Sequence, residues 1–288
     1  MKSVTKIIAK FMIAGCAVMA LPLHSAAQTL AADTTIVPTD SVAADSAFTL
    51  PDITTAQGRS LAKQMKLSLY DYPYSRKLHM EDWHRLGINT LTFASAGVAT
   101  LAILYTMPEG ATAWNKSKLH HHSYWHNYGD HFAAGPVWDK DNFVFNYVLH
   151  PYGGAVYYMS ARSLGFNMLG SLGYSAFVSS VLWEYGIECF MEIPSIQDLF
   201  VTPLAGTLVG ELFYQLKRKI VQGDYSLFGS RFLGGLVAWF IDPINEFVSL
   251  FIGNPWKHFS QRHQPRVTGN LTPVVNPGFA GFSASITF

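Results

Sequence analysis

Charged side chains are scarce in this sequence. Asp, Glu, Lys and Arg make up 14% of the 288 residues, and the formal net charge is +1, whereas about a quarter of the residues in soluble domains are charged. Nucleic-acid-binding proteins need a basic face, so this balance argues against nucleic acid as a partner. Hydrophobic residues reach 49% and the mean hydropathy is +0.17. The chain therefore has much apolar surface to bury, either in a core or in a membrane.

Cysteine is also rare in this sequence, and common catalytic motifs are absent from it. The sequence has two cysteines, Cys16 and Cys189. Cys16 lies in a predicted N-terminal leader, so we expect the mature chain to keep one thiol and to form no internal disulfide. The sequence has no GxSxG, HExxH or P-loop motif. No standard nucleophile or metal motif therefore points to a reaction.

The N-terminal residues predict an export signal followed by a linker. Three lysines precede an apolar run over residues 11–23, and the small residues 25–27 suit a cleavage site. We predict a signal peptide over 1–27, with an uncleaved anchor or lipoprotein processing at Cys16 as alternatives. Residues 28–57 are rich in Ala, Thr, Ser, Asp and Pro, which predicts a flexible linker.

From residue 58 to 262 the sequence predicts a bundle of apolar, kinked helices. Residues 88–107 carry no charge and are long enough to span a membrane or to form the central helix of a globular bundle. Pro151, Pro203 and the pair Asp242-Pro243 each predict a kink or a break. Further apolar helices are predicted over 142–162, 166–190, 196–220 and 228–252. We therefore predict a mainly α fold, with this domain associated with a membrane.

The helix predicted over 196–220 carries three local signals. Ser195 can cap its first turn. The GxxxG step from Gly206 to Gly210 lets two helices pack backbone to backbone. Lys217 and the two basic residues after it close the helix, as the helix dipole favours.

Several ionisable residues in this apolar region are candidates for a functional site: His150, Glu184, Glu188, Asp198 and Glu211. Such groups are costly to bury without partners, so they form either an internal polar network or a site. Glu184 and Glu188 are four residues apart and share a helix face. They could hold a cation or act as an acid–base pair, with pKa values raised by burial. They could equally form structural contacts with Arg162 or His150.

A His-rich stretch over residues 120–131 is a second candidate site. Its candidate metal ligands are His122, His126, Asp130 and His131. Three of them would share one face of a helix, and imidazoles with a carboxylate suit zinc or another divalent metal ion. Asn127 and Gly129 instead favour a loop, and the spacing matches no zinc signature. We favour an interfacial or structural role, because aromatic and His-rich segments also suit membrane interfaces.

The C-terminal residues 263–288 predict an extended segment that ends in a strand. From Ala280 to Phe288, apolar and small polar residues alternate strictly. The terminal aromatic residue resembles the C-terminal β-signal of outer-membrane barrels, and an edge strand of a soluble domain is the alternative. An outer-membrane β-barrel is also the alternative fold for the chain, because about 260 mature residues would suffice for one.

Four motifs in the helical region resemble those of a known family. They are His150-Pro151-Tyr152-Gly153-Gly154, Trp183-Glu184, Pro194-Ser195-Ile196-Gln197-Asp198-Leu199 and Thr202-Pro203-Leu204-Ala205-Gly206. Over residues 114–219 the chain resembles an uncharacterised bacterial envelope family, the domain-of-unknown-function family 3943. The resemblance implies an envelope location and no established activity. The motif order also resembles, more loosely, VanZ-like membrane proteins, which carry Asn where this chain has Thr202 or Pro203.

Three functions are compatible with these observations. The first is an exported, membrane-associated envelope protein that is structural or lipid-interacting, at the outer membrane or its periplasmic face, or at the inner membrane. Its expected partners are membrane lipid, other envelope proteins or further copies of the same chain. The second is a lipid- or glycan-modifying enzyme that uses His150 with Glu184 and Glu188. The third is an outer-membrane barrel or channel.

Overall fold

The computed structural model describes residues 49–107, 123–138, 144–257, 268–276 and 279–287. Its helices are α1 (Ala56–Gln64), α2 (Trp83–Thr106), α3 (Tyr124–Ala134), α4 (His150–Arg162), α5 (Met168–Ala176), α6 (Ile196–Gln222), α7 (Arg231–Ile241) and α8 (Pro243–Ile252). The predicted mainly helical fold is confirmed. The predicted signal peptide, residues 1–27, lies outside the described residues.

Two strands follow the helical body. β1 (Thr268–Asn276) and β2 (Phe279–Thr287) form an antiparallel two-stranded sheet. Within the described residues these are the only named strands, so the alternative of a β-barrel is wrong for this part of the chain. The apolar runs of the body lack the alternation that barrel strands require. The likeness of β2 to an outer-membrane signal stays a prediction.

Helices α4 and α6 form the centre of the bundle and lie close enough for their backbones to touch. A Cβ atom added to Gly206 would lie 2.5 Å from Gly154 Cα, and one added to Gly154 would lie 1.9 Å from Thr202 O. One turn further on, a Cβ atom on Gly210 would lie 2.6 Å from the Tyr158 ring. The close helix packing predicted from the GxxxG step is confirmed.

The contacts also give the directions of the helices. α4 and α6 run parallel, because Gly154 faces Gly206 and Tyr158 faces Gly210. α2 runs antiparallel to α4, since Asn89 Nδ2 donates to Ser160 O at 3.1 Å and, further along α2, the Phe93 ring packs on the earlier residue Tyr157. We therefore name two ends of the bundle: the His150 end, where α4 and α6 begin, and the Arg162 end, where they finish and α2 begins.

Proline affects the three predicted break points differently. The break at Asp242-Pro243 is confirmed, because the chain bends by 111° between α7 and α8. Pro151 lies in the first turn of α4, after a π-helical turn, Phe145–Leu149. The predicted break at Pro203 is wrong, because α6 continues through this residue. The close contact of the flanking α6 backbone with α4 holds the helix together despite the missing N–H.

The helix predicted over 166–190 is regular only in its first part. After α5 it continues as a π-helical segment, Phe177–Ile187, and a short 3₁₀ turn, Glu188–Phe190. π-Helical insertions are rare and often occur at functional sites. Both candidate acids of this helix, Glu184 and Glu188, lie in the irregular part.

Candidate functional site

A polar cluster at the His150 end joins α4 to the start of α6. His150 Nδ1 lies 3.0 Å from Asp198 Oδ1 and 3.2 Å from Thr202 Oγ1. Asp198 is in the first turn of α6, and its backbone N–H donates to Ser195 Oγ at 3.2 Å. This bond confirms the predicted capping by Ser195, which fixes where α6 begins and so places Asp198 opposite His150.

Glu184 and Glu188 complete this cluster, which we name the His150 cluster: His150, Glu184, Glu188, Asp198 and Thr202. Glu184 Oε2 accepts a hydrogen bond from Ser195 N at 3.0 Å. Burial, followed by the neighbouring Glu188 carboxylate, raises the pKa of Glu184 to about 9. Burial and then Glu192 raise the pKa of Glu188 to about 7, against the opposing effect of His150. Burial and the neighbouring carboxylates therefore both favour the protonated forms of these two side chains.

Glu211 does not belong to the His150 cluster. It lies thirteen residues after Asp198, about 20 Å further along α6. Its carboxylate accepts from Arg162 Nε at 3.2 Å, from the Tyr74 hydroxyl at 2.8 Å and from the Tyr158 hydroxyl. The structure therefore does not bring Glu211 together with the other candidate residues.

A buried charge cluster next to Glu211 was not foreseen from the sequence. Lys217 Nζ lies 2.6 Å from Asp242 Oδ2 and 2.9 Å from Glu246 Oε1, and the Lys217 side chain is fully buried. We interpreted Lys217 as a residue that closes the helix near its C-terminal dipole. Its spacing of seven residues from Gly210 was the available signal, because that spacing places it on the face of α6 that packs on the bundle.

Two arginines at the Arg162 end donate hydrogen bonds to backbone carbonyls in residues 69–75, which precede α2. Arg218 Nη1 donates to Leu69 O at 2.7 Å, and Arg162 Nη2 donates to Ser75 O at 2.6 Å. The charges at this end are thus neutralised by partners within the fold. This arrangement is that of a structural network, with cations, carboxylates and carbonyls satisfying each other away from water.

The described part of the His-rich stretch lies in helix α3 instead of the loop that Asn127 and Gly129 favoured. Ser123 Oγ accepts from His126 N at 3.2 Å and so caps α3, which overrides the loop preference of the two residues. The side chains of His126 and Asp130 form an exposed pair, 3.4 Å apart.

The other predicted metal ligands lie apart from this pair or outside the described residues. His131 Nδ1 lies 2.9 Å from Cys189 O. His122 falls outside the described residues. In the part of the chain that the structure describes, no group of three or more His, Cys, Asp or Glu residues is arranged to hold a metal ion.

The outer surface of the bundle is apolar, whereas its interior contains buried charged groups. Four large side chains spaced four residues apart on α6 are each more than half exposed: Phe200, Leu204, Leu208 and Leu212. Two helical segments, Trp83–Ile103 and Ile196–Gln222, are long and apolar enough to cross a membrane, and the bent pair α7–α8 would make a third if it counts as one span.

The fold and these surfaces define a helical protein that is suited to association with a membrane. Residues 135–244 match the model of the family described as Domain of unknown function (DUF3943). The matched segment runs from the end of α3 into α8 and contains the His150 cluster together with Lys217 and Asp242. The resemblance to this family is confirmed over that segment, while no finding supports the VanZ-like resemblance. Searches of curated proteins and of solved structures found no match to the chain.

Proposed function

We propose that the protein is an exported envelope protein that is embedded in a membrane through α2 and α6. The predicted signal peptide over residues 1–27 and the envelope family that the motifs resemble support export. Membrane lipid is then its main partner, and the buried polar clusters hold the helices together inside the lipid.

One observation carries this proposal: over most of α6 the charged residues face the interior of the bundle and large apolar residues face outward. Between Ile196 and Leu216 the only Asp, Glu, Lys or Arg residues are Asp198 and Glu211, which are 6% and 5% exposed. The outward positions are apolar, from Phe200 to Leu212. Water-soluble helices show the reverse pattern, with charges on the outer face. A helix in lipid requires this distribution, because a charged side chain that faces lipid makes the free energy of insertion less favourable.

A charge placed on the outer face of α6 tests the proposal. In lipid, Leu208→Lys should cost about 3 kcal/mol of insertion free energy, whereas an exposed substitution in water costs about 0.5 kcal/mol or less. We expect wild-type protein to stay in the membrane pellet after alkaline carbonate extraction and Leu208→Lys to be lost from it. The control is Gln215→Lys, at an exposed position one turn before Lys219. A lysine side chain this close to the helix end can reach the head groups, so this variant should behave as wild type.

Two results would contradict membrane embedding. One is release of the wild-type protein by carbonate or high salt. The other is equal retention of the Leu208→Lys and Gln215→Lys variants. Separation of inner from outer membrane in the same experiment assigns the protein to one of them, because the two membranes have different densities.

The His150 cluster favours a second candidate function, a lipid- or glycan-modifying enzyme. Its supporting observation is the pair of raised pKa values, about 9 for Glu184 and about 7 for Glu188. General acids and bases work best when their pKa values lie near the operating pH. In this function Glu188 would accept a proton, Glu184 would donate one, and Asp198 would orient His150.

A further inference from the structure

The bent pair α7–α8 starts and finishes at the same end of the bundle. Tyr225, in the turn between α6 and α7, accepts a hydrogen bond at its hydroxyl from Asn254 Nδ2 at 2.7 Å, and Asn254 lies just after α8. Gly253 O accepts from Arg85 Nη1 at 3.0 Å, and Arg85 belongs to the first turn of α2. Both ends of the pair are therefore at the Arg162 end, where α6 finishes and α2 begins.

The bend between α7 and α8 lies part-way along the bundle. Asp242, at the bend, accepts from Ser163 Oγ at 2.5 Å, and Ser163 directly follows α4. Two residues before the bend, Phe240 O accepts from the hydroxyl of Tyr152, near the start of α4, at 2.8 Å. The pair therefore extends from the Arg162 end towards the middle of the bundle and then returns.

The lengths of the two helices fit half of a bilayer. α7 has 11 residues and α8 has 10, so each is about 15 Å long. The hydrocarbon core of a bilayer is about 30 Å thick. The chain bends by 111° between the two helices, which exceeds a right angle, so α8 runs partly back against α7. Each helix is therefore long enough for one leaflet, and the bend is too sharp for a single span.

The pair keeps its charges inside and presents apolar side chains outside. Between Arg231 and Lys257 the only Asp, Glu, Lys or Arg residues are Asp242 and Glu246. Both are buried, and Glu246 Oε1 lies 2.9 Å from Lys217 Nζ. The outward side chains that are at least half exposed are Phe232, Leu236, Phe240, Leu250 and Phe251. This distribution matches that of the outer face of α6.

The two residues that flank the pair suit the head-group region of a membrane. Arg231, at the start of α7, has a side chain that is 77% exposed. Lys257, after α8, is exposed too. Long basic side chains at the edge of an apolar segment reach the lipid head groups. Acyl chains against the outward face and head groups at its two basic ends are therefore the surroundings that this surface fits.

We propose that α7–α8 is a re-entrant hairpin, which inserts into the single leaflet at the Arg162 end and does not cross the membrane. The residues that follow α8 then lie on the same side as residues 49–82. The predicted signal peptide exports the residues after it, so both segments face away from the cytoplasm. This inference rests on the proposed membrane location and specifies how the last two helices contact lipid.

Three cysteine variants of the full chain test this topology. The reporter positions are exposed: Lys77→Cys before α2, Lys257→Cys after α8, and Ala134→Cys at the end of α3. Lys77 marks the Arg162 end. Ala134 marks the His150 end, because Val137, which follows α3, pairs through its backbone with Ser195, the residue that caps α6.

A bulky maleimide that cannot cross a bilayer is the labelling reagent. It is added to spheroplasts if the protein fractionates with the inner membrane, and to intact cells if it fractionates with the outer membrane. Each variant also carries Cys189→Ser, so the new cysteine is the only thiol after residue 16. We expect Lys257→Cys to react as Lys77→Cys does, before or only after permeabilisation, and Ala134→Cys to show the opposite behaviour.

The depth of α7 in lipid tests what covers its outward face. A fluorophore on Phe232→Cys is compared with one on Leu208→Cys, near the middle of the candidate span Ile196–Gln222. Both proteins are placed in phosphatidylcholine vesicles that carry bromine either near the head group or near the chain end. Bromine near the head group should quench the Phe232 probe more strongly, and bromine near the chain end should quench the Leu208 probe more strongly.

Two results would overturn the re-entrant hairpin. One is a Lys257→Cys variant that reacts as Ala134→Cys does, because α7–α8 would then cross the bilayer. The other is a Phe232 probe that neither lipid quenches, which shows a protein partner on this face, or that is quenched as the Leu208 probe is. If all three cysteines react alike, the bundle does not cross a membrane and the membrane proposal itself fails. Unfolding temperatures verify that each variant is folded.

Discussion

Arg162 illustrates how a single ionisable residue is accommodated inside this bundle. Its side chain is fully buried, and its three guanidinium nitrogens all donate hydrogen bonds. Nε and Nη2 reach Glu211, Nη1 reaches Phe166 O at 2.9 Å, and Nη2 also reaches Ser75 O. Such a charge is stable only while its partners remain, because the desolvation cost must be offset by hydrogen bonds and by the opposite charge.

Removal of the Glu211 charge should therefore destabilise the protein strongly. We expect Glu211→Gln to lower the free energy of unfolding by about 3 kcal/mol or more, because it leaves the Arg162 charge buried and unpaired. The control is Asp224→Asn, which removes the partner of Arg231, a side chain that is 77% exposed. Its effect should be about 1 kcal/mol or less. Equilibrium unfolding in detergent measures the stability of both variants. Similar small losses of unfolding free energy in the two would show that the buried ion pair is not essential for stability.

At the scale of elements, the parallel pair α4 and α6 depends on small residues where the helices cross. Gly154 and Gly206 let the two backbones touch, and Thr207 Oγ1 donates to Pro203 O at 2.7 Å on the same stretch of α6. The His150–Asp198 contact and the Arg162–Glu211 ion pair both depend on this packing, since each joins a residue of α4 to a residue of α6. A change in the spacing between the helices should affect both contacts together.

Gly206→Ala tests the contact between the two helices. The added Cβ atom meets backbone atoms of Gly154, which cannot move aside as a side chain can, so we expect a loss of about 1–3 kcal/mol. Gly235→Ala in α7 is the matched control, because a Cβ atom there meets nothing within 4 Å. It should stabilise the protein by about 0.5–1 kcal/mol. Thermal unfolding of the two variants compares them, and a neutral Gly206→Ala would contradict the tight contact.

At the scale of the whole molecule, the two ends of the bundle differ in charge balance. At the Arg162 end, Arg162 pairs with Glu211, and Lys217 pairs with Asp242 and Glu246. At the His150 end, Glu184 and Glu188 have only His150 nearby as a basic group among the groups that shift their pKa values. The His150 end should therefore be the part of the bundle that responds to pH.

Stability should fall as the pH rises from about 5 to about 9. The folded state holds protons on Glu188 and Glu184 up to pKa values of about 7 and 9, while the ordinary value is 4.5. Their contribution is complete below pH 4.5 and is lost as pH rises through the folded-state values. The double variant Glu184→Gln, Glu188→Gln cannot ionise at either position and should show a flatter pH profile.

Unfolding temperatures of wild type and the double variant, measured across this pH range, test the predicted loss of stability. Parallel profiles for wild type and the double variant would exclude these two acids as its source. The same variant tests the second candidate function. If it accumulates normally while the composition of envelope lipids or glycans changes, the His150 cluster is catalytic; if the composition stays the same, an enzymatic role for the cluster is refuted.

Local signals in the sequence were sufficient for much of the helical architecture. Uncharged apolar runs indicated the helices, Ser195 indicated the start of α6, Asp242-Pro243 indicated the bend, and the GxxxG step indicated a close helix contact. Each of these signals involves residues that are close together in the sequence, so neighbouring residues determine whether the helix begins, bends or packs as expected. Pro203 and α3 are the exceptions, because packing and capping overrode the local preference there.

The sequence by itself determined which residues are apolar, where helices begin and bend, and that several acids must be buried among them. Only the tertiary structure decided which partner each buried charge meets. Lys217 pairs with Asp242 across 25 residues of chain, and Glu211 pairs with Arg162 across 49. The physical reason is that an ion pair depends on distance in space, and that distance is set by how α4, α6 and α8 pack, which no local pattern encodes.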